Sequence, residues 1–460
     1  MHNSYKQISG HTSIRPGTKI LFANFPGDGH FNPLTGLAVH LKNLGCDVRW
    51  YTSPVYKEKI SKLGIPFYGF KKALDIAACD DINELFRERK LHKSQISKLK
   101  FDLIHAFILR SPEYYEDLKD IYNEFSFELM VADITFGGIP FVREKMNIPV
   151  IAAGIVPLPE NSRDLAPVGL GITPSYTTAG KLRQAMLRFV ANKILFAKPT
   201  KVMTKMLKSY GIKPEGANIF DTLVKKSTVV LQSGTPSFEY KRSDMSAHVH
   251  FAGPLLPYSA EKKEPKWFDE KLKLYSKVVL VTQGTVEKDE EKLLIPSLEA
   301  FKDSDTLLIV TTGGARTKEL RARYPQRNII IEDFIAFNDV MPHTDVYISN
   351  GGYGGVLLAI QNGLPMVVAG VNEGKNEINA RIGYFELGIN LGTEKPSASQ
   401  IRQGVEEVFS NKQYQKNVAK LREEFKQYDP ADLCAKQVAR LTGKATDKKS
   451  TAVNLEALVY

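Results

Sequence analysis

Short runs of aliphatic and β-branched residues alternate with helical stripes along most of this chain. Ile20-Leu21-Phe22-Ala23 reads as a buried strand. Leu34, Leu37, Ala38, Leu41 and Leu44 then follow a helical stripe, with Pro33 suited to its first turn and Gly45 to its end. Val48–Tyr51, Leu129–Ala132 and Val150–Ala153 predict further strands in the first half. The alternation restarts with Val278–Val281, Leu307–Val310, Ile329–Ile331, Val346–Ile348 and Met366–Val368. Strands separated by helices predict parallel sheets covered on both faces. Two such series predict two successive α/β domains, spanning 19–250 and 269–425. The connection over 251–268 is rich in proline and charge between Pro254 and Lys266. In such folds ligands bind at the carboxyl ends of strands, so the cleft between the domains is the expected site.

A length of 460 residues exceeds what one ordinary core serves. A hydrophobic share of 43% and a charged share of 25% are those of a soluble globular protein. No apolar run reaches the roughly 18 residues that a membrane span requires. Residues 1–18 lack the apolar core of a signal peptide and read as a disordered tail, as do residues 446–460. Cys46, Cys79 and Cys434 show neither a disulfide framework nor zinc spacing, which predicts a cytoplasmic protein. The net charge of +11 suits nucleic acid, a membrane surface or anionic small molecules. No nucleic-acid-binding signature accompanies it, so no nucleic-acid partner is expected and a solvated basic surface is the ordinary alternative.

The densest chemistry is the stretch Ser349-Asn350-Gly351-Gly352-Tyr353-Gly354-Gly355-Val356, between a strand-like run and a helix-like one. Four glycines let a ligand approach the backbone, and a helix N-terminus favours an anion. A phosphate-bearing ligand is the expectation. Gln283-Gly284-Thr285 and the turn containing Thr312 also follow strands and offer hydroxyls and N–H groups to a phosphate. Phe334-Ile335 could pack a base ring or simply belong to the core. Glu373-Gly374-Lys375 sets an acid and an ammonium group just past a strand, suited to sugar hydroxyls or to an ordinary charged loop.

In the first half, Pro26-Gly27-Asp28-Gly29-His30-Phe31 follows the first strand. His30 on this glycine-flexed loop is a candidate general base, with a capping role as the ordinary alternative. Gly27-x-Gly29 resembles part of a dinucleotide fingerprint. Asn32 stands where the third glycine belongs, and the second strand ends without an acid, so a nicotinamide site is disfavoured. Asp133, at the expected end of a parallel strand, would share the cleft with His30, fixing its tautomer and stabilising its cation. Capping of the next helix is its ordinary alternative. Asp303-Ser304-Asp305 reads as a solvated turn, and no metal site is expected.

Together these motifs resemble the nucleotide-sugar-dependent natural-product glycosyltransferases of the UDP-glycosyltransferase superfamily, nearest the bacterial macrolide-type branch. The motifs are Gly29-His30-Phe31-Asn32-Pro33, Val131-Ala132-Asp133, Phe251-Ala252-Gly253-Pro254, Thr282-Gln283-Gly284-Thr285, and the glycine loop followed by Gly363-Leu364-Pro365. The resemblance runs from about Lys19 to Leu441. It implies the GT-B fold, two Rossmann-like doubly wound parallel-sheet domains facing across a cleft. It also implies a helix over 426–445 packing back toward the N-terminal domain. It implies an inverting, metal-independent hexosyltransferase with no cofactor beyond the nucleotide-sugar co-substrate. His30 would deprotonate an acceptor hydroxyl, Asp133 would hold the imidazolium, and the glycine loop and Thr285 would meet the leaving diphosphate. Three departures accompany it. The family usually has His at Asn350. Plant members have a ribose-binding Glu at Leu358. The usual sugar-holding Asp-Gln pair falls near Gly374-Lys375, with Glu373 one residue earlier. A uridine or thymidine diphosphate hexose is the expected donor, UDP-glucose first.

The acceptor is expected to be a small aromatic or apolar molecule, met by Phe31, Phe70, Phe107 and Phe136. From Leu165 to Pro214 the chain carries nine basic residues and no acidic one. A basic amphipathic helix within 181–213 predicts a weak peripheral membrane contact or an acidic or lipophilic acceptor, against an ordinary lid helix. A monomer or weak dimer is expected. The rival readings are a sugar-nucleotide epimerase or hydrolase of the same fold and a non-catalytic nucleotide-sugar or nucleic-acid binder.

Overall fold

A computed structural model describes residues 14–79, 81–216, 218–259, 267–284 and 287–443. Both predicted tails lie wholly or largely outside these residues, as do positions 260–266 of the predicted connection and Thr285.

The first half forms seven strands: β1 (Lys19–Ala23), β2 (Asp47–Thr52), β3 (Phe67–Gly69), β4 (Leu129–Asp133), β5 (Val150–Gly154), β6 (Val229–Ser233) and β7 (Val249–Gly253). They pair in the order β3-β2-β1-β4-β5-β6-β7, all parallel. The second half forms β8 (Val278–Thr282), β9 (Leu307–Thr311), β10 (Ile329–Glu332), β11 (Val346–Ser349), β12 (Met366–Val368) and β13 (Gly388–Asn390). Their order is β10-β9-β8-β11-β12-β13, again parallel. Every residue of β4, β5, β8 and β9 is buried, which explains why these strands read as continuous apolar runs rather than alternating ones. Each sheet reverses its strand order once, between β1 and β4 and between β8 and β11. Those reversals open crevices at the strands' carboxyl ends.

Three local details differ from the sequence reading. The first helix starts at Asp28 and runs to Asn43, so His30 sits in its first turn rather than on a loop. Pro33 is therefore inside the helix, where it has no N–H to return to the Gly29 carbonyl. β7 continues the first sheet to Gly253, beyond the boundary expected at 250. β3, β6, β7 and β13 have no counterpart among the predicted strands.

The two halves touch near the carboxyl ends of β6 and β11. The Tyr353 hydroxyl, at the start of the helix that follows β11, donates 2.7 Å to the carbonyl of Ser233, the last residue of β6. The carboxyl ends of both sheets thus face one cleft. The helix Pro430–Thr442 returns to pack on the helix Asp28–Asn43 and on β4 and β7. There Cys434 joins Cys46 in the first core, and burial pushes their free thiols up, to about 12 and about 11. Among the described residues no helix is long and apolar enough to cross a membrane.

Candidate active site

β1 and β4 are neighbours with Ala23 opposite Ala132, so the segments that leave them adjoin. This brings His30 to Asp133, with Nδ1 3.1 Å from Oδ1. The imidazole is 24% exposed and the carboxylate fully buried, so Asp133 stands behind His30 rather than in the open cleft. Asp133 also accepts the Phe25 N–H at 2.6 Å, the Thr135 N–H at 2.8 Å and the Thr135 hydroxyl at 2.5 Å. It does not cap the next helix, whose N-cap is Gly138. A buried carboxylate with this many donors is held in one orientation. The Thr135 hydroxyl lies 3.0 Å from His30 Nδ1, closing a triangle that sequence reasoning missed. With Nδ1–H directed at this pair, Nε2 carries the free lone pair.

Phe25, also missed, stands with its ring centroid 5.1 Å from that of His30 and stacks on Phe107 at 4.2 Å and 5°. Phe107 and Phe70 are half-buried, and Phe70 packs on Tyr51 and Tyr114. Phe31 and Phe136 correct the sequence reading. Both are core residues, Phe31 between Trp50 and Tyr56 and Phe136 against Tyr51 and Tyr114. Gly29 is exposed with open space around it.

Across the cleft, β8 and β11 are also neighbours, with Thr282 opposite Ser349. Asn350 Nδ2 donates to the Gln283 carbonyl and ties the two loops together. Gln283 is buried, with its Oε1 unpartnered among the described residues. Gly352 caps the helix Tyr353–Gln361 without any side-chain bond, leaving first-turn N–H groups free for a ligand. Gly354 faces open space, whereas Gly355 packs against the Tyr347 hydroxyl. Val356 is a correction: it is fully buried and its N–H bonds the Gly352 carbonyl at 3.0 Å. Gly351 is a true glycine position, with φ at 87° and an added Cβ 1.9 Å from Asn379 Oδ1. Gly351→Ala should cost at least about 1–3 kcal/mol in backbone strain, read as a lower melting midpoint and weaker nucleotide binding by calorimetry.

Thr312 is buried and shares a 2.5 Å hydrogen bond with the Thr317 hydroxyl, so it braces its turn instead of facing the cleft. Phe334 and Ile335 part ways. Ile335 joins the second core, and Phe334 is 71% exposed beside Gly314. If Phe334 is the platform for a base, Phe334→Ala should raise the KM for a nucleotide donor about ten-fold and leave the melting midpoint unchanged.

Glu373 and Gly374 are consecutive left-handed residues, at φ 55° and 79°. For Glu373 that is an uncommon conformation, of the kind that gathers at binding turns. Lys375 is largely buried, and its Nζ meets Glu373 Oε2 at 2.8 Å. A Cβ on Gly370 would lie 2.4 Å from the Asn350 carbonyl and 3.2 Å from Lys375 Cδ. The lysine stem therefore runs beside Gly370 and the Asn350 backbone, with its ammonium group on Glu373. Behind this turn, Arg381 bonds Glu239 at 2.6 Å and Glu377 at 3.1 Å, all three buried. Burial pushes the Glu239 carboxyl up, yet Arg381 and Arg242 hold it below its usual range.

Residues 297–440 match the family described as Erythromycin biosynthesis protein CIII-like, C-terminal domain. The chain is 32% identical to 4'-demethylrebeccamycin synthase of Lentzea aerocolonigenes, covering 89% of this chain and 96% of that protein. It is 30% identical to UDP-glucosyltransferase 1 of Beauveria bassiana, covering 93% and 96%. The crystal structure of the glycotransferase of kitacinnamycin superposes with a TM-score of 0.72 at 17% identity, covering 93% of this chain and 100% of that one.

Proposed function

Because this chain belongs to the UDP-glycosyltransferase superfamily of natural-product glycosyltransferases, we propose that it is an inverting hexosyltransferase acting on a hydroxyl of a small aromatic or apolar acceptor. The observation that carries the mechanism is the His30–Asp133–Thr135 triangle at the first sheet's strand reversal. His30 Nε2 takes the proton of the acceptor hydroxyl as its oxygen attacks the anomeric carbon from the face opposite the diphosphate. The buried Asp133 carboxylate stabilises the imidazolium that forms. The nucleoside diphosphate leaves toward the free N–H groups of the glycine-loop helix and the ammonium of Lys375. In this reading Lys375, on leaving Glu373, supplies the positive charge that Asn350 does not carry. Thr285, adjoining Gly284, is a further proposed phosphate contact.

Phe334 is the proposed platform for the base, and the Glu373-Gly374-Lys375 turn the holder of the sugar hydroxyls. The stacked Phe25–Phe107 pair beside His30 supports an aromatic or apolar acceptor. UDP-glucose is the first donor in this reading, in keeping with the name of the Beauveria relative, and no metal enters the proposed step. The test is a screen of nucleotide sugars against phenolic and alcoholic acceptors, read by mass spectrometry. Glucosylated product of inverted anomeric configuration is expected with UDP-glucose. Release of free sugar alone would replace this reading with a hydrolase or epimerase. Absence of turnover with every nucleotide sugar, despite binding, would replace it with a non-catalytic binder.

A further inference from the structure

The helix Thr178–Val190 is folded inside out. Its one buried residue is Gln184, whose side-chain amide donates 2.8 Å to the Asp164 carbonyl and whose oxygen accepts the Ser175 N–H at 2.7 Å. On the opposite face Leu182, Met186 and Phe189 stand at i, i+4 and i+7, a single helical stripe. They are 73%, 60% and 61% exposed. Lys181 and Arg183, both exposed, flank the stripe on either side. Ile194, just beyond the helix, is exposed as well.

Beside Phe189 lies a cleft of about 400 Å³ lined by the cations Arg163, Arg188, Lys193 and Lys225 and the acids Asp221 and Asp244. The acids already accept bonds from within the fold: Asp221 from Asn161, Asp244 from Ser162 and from the Arg163 N–H. Lys193 and Lys225 are exposed at its rim. An apolar stripe turned to solvent, edged by cations in a segment without one acid, is the pattern of a helix lying in a lipid interface. The stripe is convex, so it suits a fluid surface rather than a pocketed partner.

We propose that this face docks on an anionic lipid surface. Leu182, Met186 and Phe189 enter the boundary between headgroups and acyl chains, while Lys181, Arg183, Lys193 and Lys225 meet lipid phosphates. Docking would hold the His30 half where apolar acceptors partition. That consequence rests on the transfer reading, whereas the docking itself does not.

The test is flotation of the full chain with vesicles of phosphatidylcholine, with and without phosphatidylglycerol. Binding is expected only to the phosphatidylglycerol vesicles, weakening as salt rises. The triple variant Leu182→Ser/Met186→Ser/Phe189→Ser should weaken it about ten-fold or more with circular dichroism unchanged. Lys181→Ser/Arg183→Ser should weaken it and flatten its salt dependence. Equal partition to both vesicle types overturns the proposal, as does a triple variant that binds like the parent. So does a lipid-free dimer, seen by sedimentation, that the triple variant abolishes, because the face would then serve a second copy of the chain.

Discussion

Replacing His30 by alanine should lower the turnover for sugar transfer to an alcohol by about 10²–10⁴-fold. An alcohol stays protonated near neutral pH, so its oxygen becomes a competent nucleophile only as a base removes the proton. Nδ1 is committed to Asp133 and Thr135, at 3.1 and 3.0 Å, which leaves Nε2 for that task. The loss should shrink with acceptors that ionise unaided, such as an acidic phenol or a thiol. Binding of the nucleotide donor should not change, because the proposed phosphate loop lies on the other sheet. Asp133→Asn should cost a comparable factor, since an amide facing Nδ1 favours the tautomer with its proton on Nε2. The measurement is kcat for paired alcohol and phenol acceptors, with the melting midpoint as a control for folding. A His30→Ala protein that glycosylates an alcohol at the parental rate would remove the base from the mechanism.

The sequence carried the parallel α/β alternation because buried parallel strands are apolar on both faces. Val278–Val281 and Leu307–Val310 could hardly be anything else. Glycine-broken strands such as Phe67–Gly69 and Gly388–Asn390 gave no such signal, because neither holds the run of aliphatic residues that marks Met366–Val368. The approach of His30 to Asp133 could be inferred because both follow strands that the fold sets side by side. The direction of individual rings could not. Phe31 and Phe25 lie on the same segment, yet one helical turn sends Phe31 into the core and leaves Phe25 beside the imidazole. The start of the first helix was hidden too, since Asp28-Gly29 has low helix propensity and only tertiary packing makes it helical. Thr135 is an ordinary residue in sequence. Its part appears only once Asp133 and His30 are placed.

The least legible feature is the contact between Arg381 and Glu239, 142 positions apart, and replacing Arg381 by methionine should cost about 3–5 kcal/mol of stability. Arg381 is 3% exposed, lies over the Tyr240 ring at 4.2 Å, and joins Glu239 from the first half to Glu377 on the donor-turn helix. Glu377 in turn accepts the N–H groups of Gly169 and Gly171 at 2.9 and 2.8 Å, so one guanidinium organises a seam between the two halves. Without it the buried Glu239 carboxylate keeps Arg242 as its charged partner, with the N–H groups of Leu158 and Tyr240. The pH dependence follows from the sign of the shift. Glu239 is held below its usual range, so the stability it contributes is present above the unfolded carboxyl pKa of about 4.3 and is lost as pH falls through the folded value. In the variant burial dominates, Glu239 takes up a proton more readily, and the deficit relative to the parent should narrow in acid. Arg381→Met/Glu239→Gln should regain part of the loss, because Glu239 is then no longer a buried charge that has lost Arg381. Urea unfolding across pH measures all of this, and a variant with the parental midpoint would show that the seam is not held by charge. The donor KM should rise with the instability, since the helix that Glu377 anchors begins at Lys375.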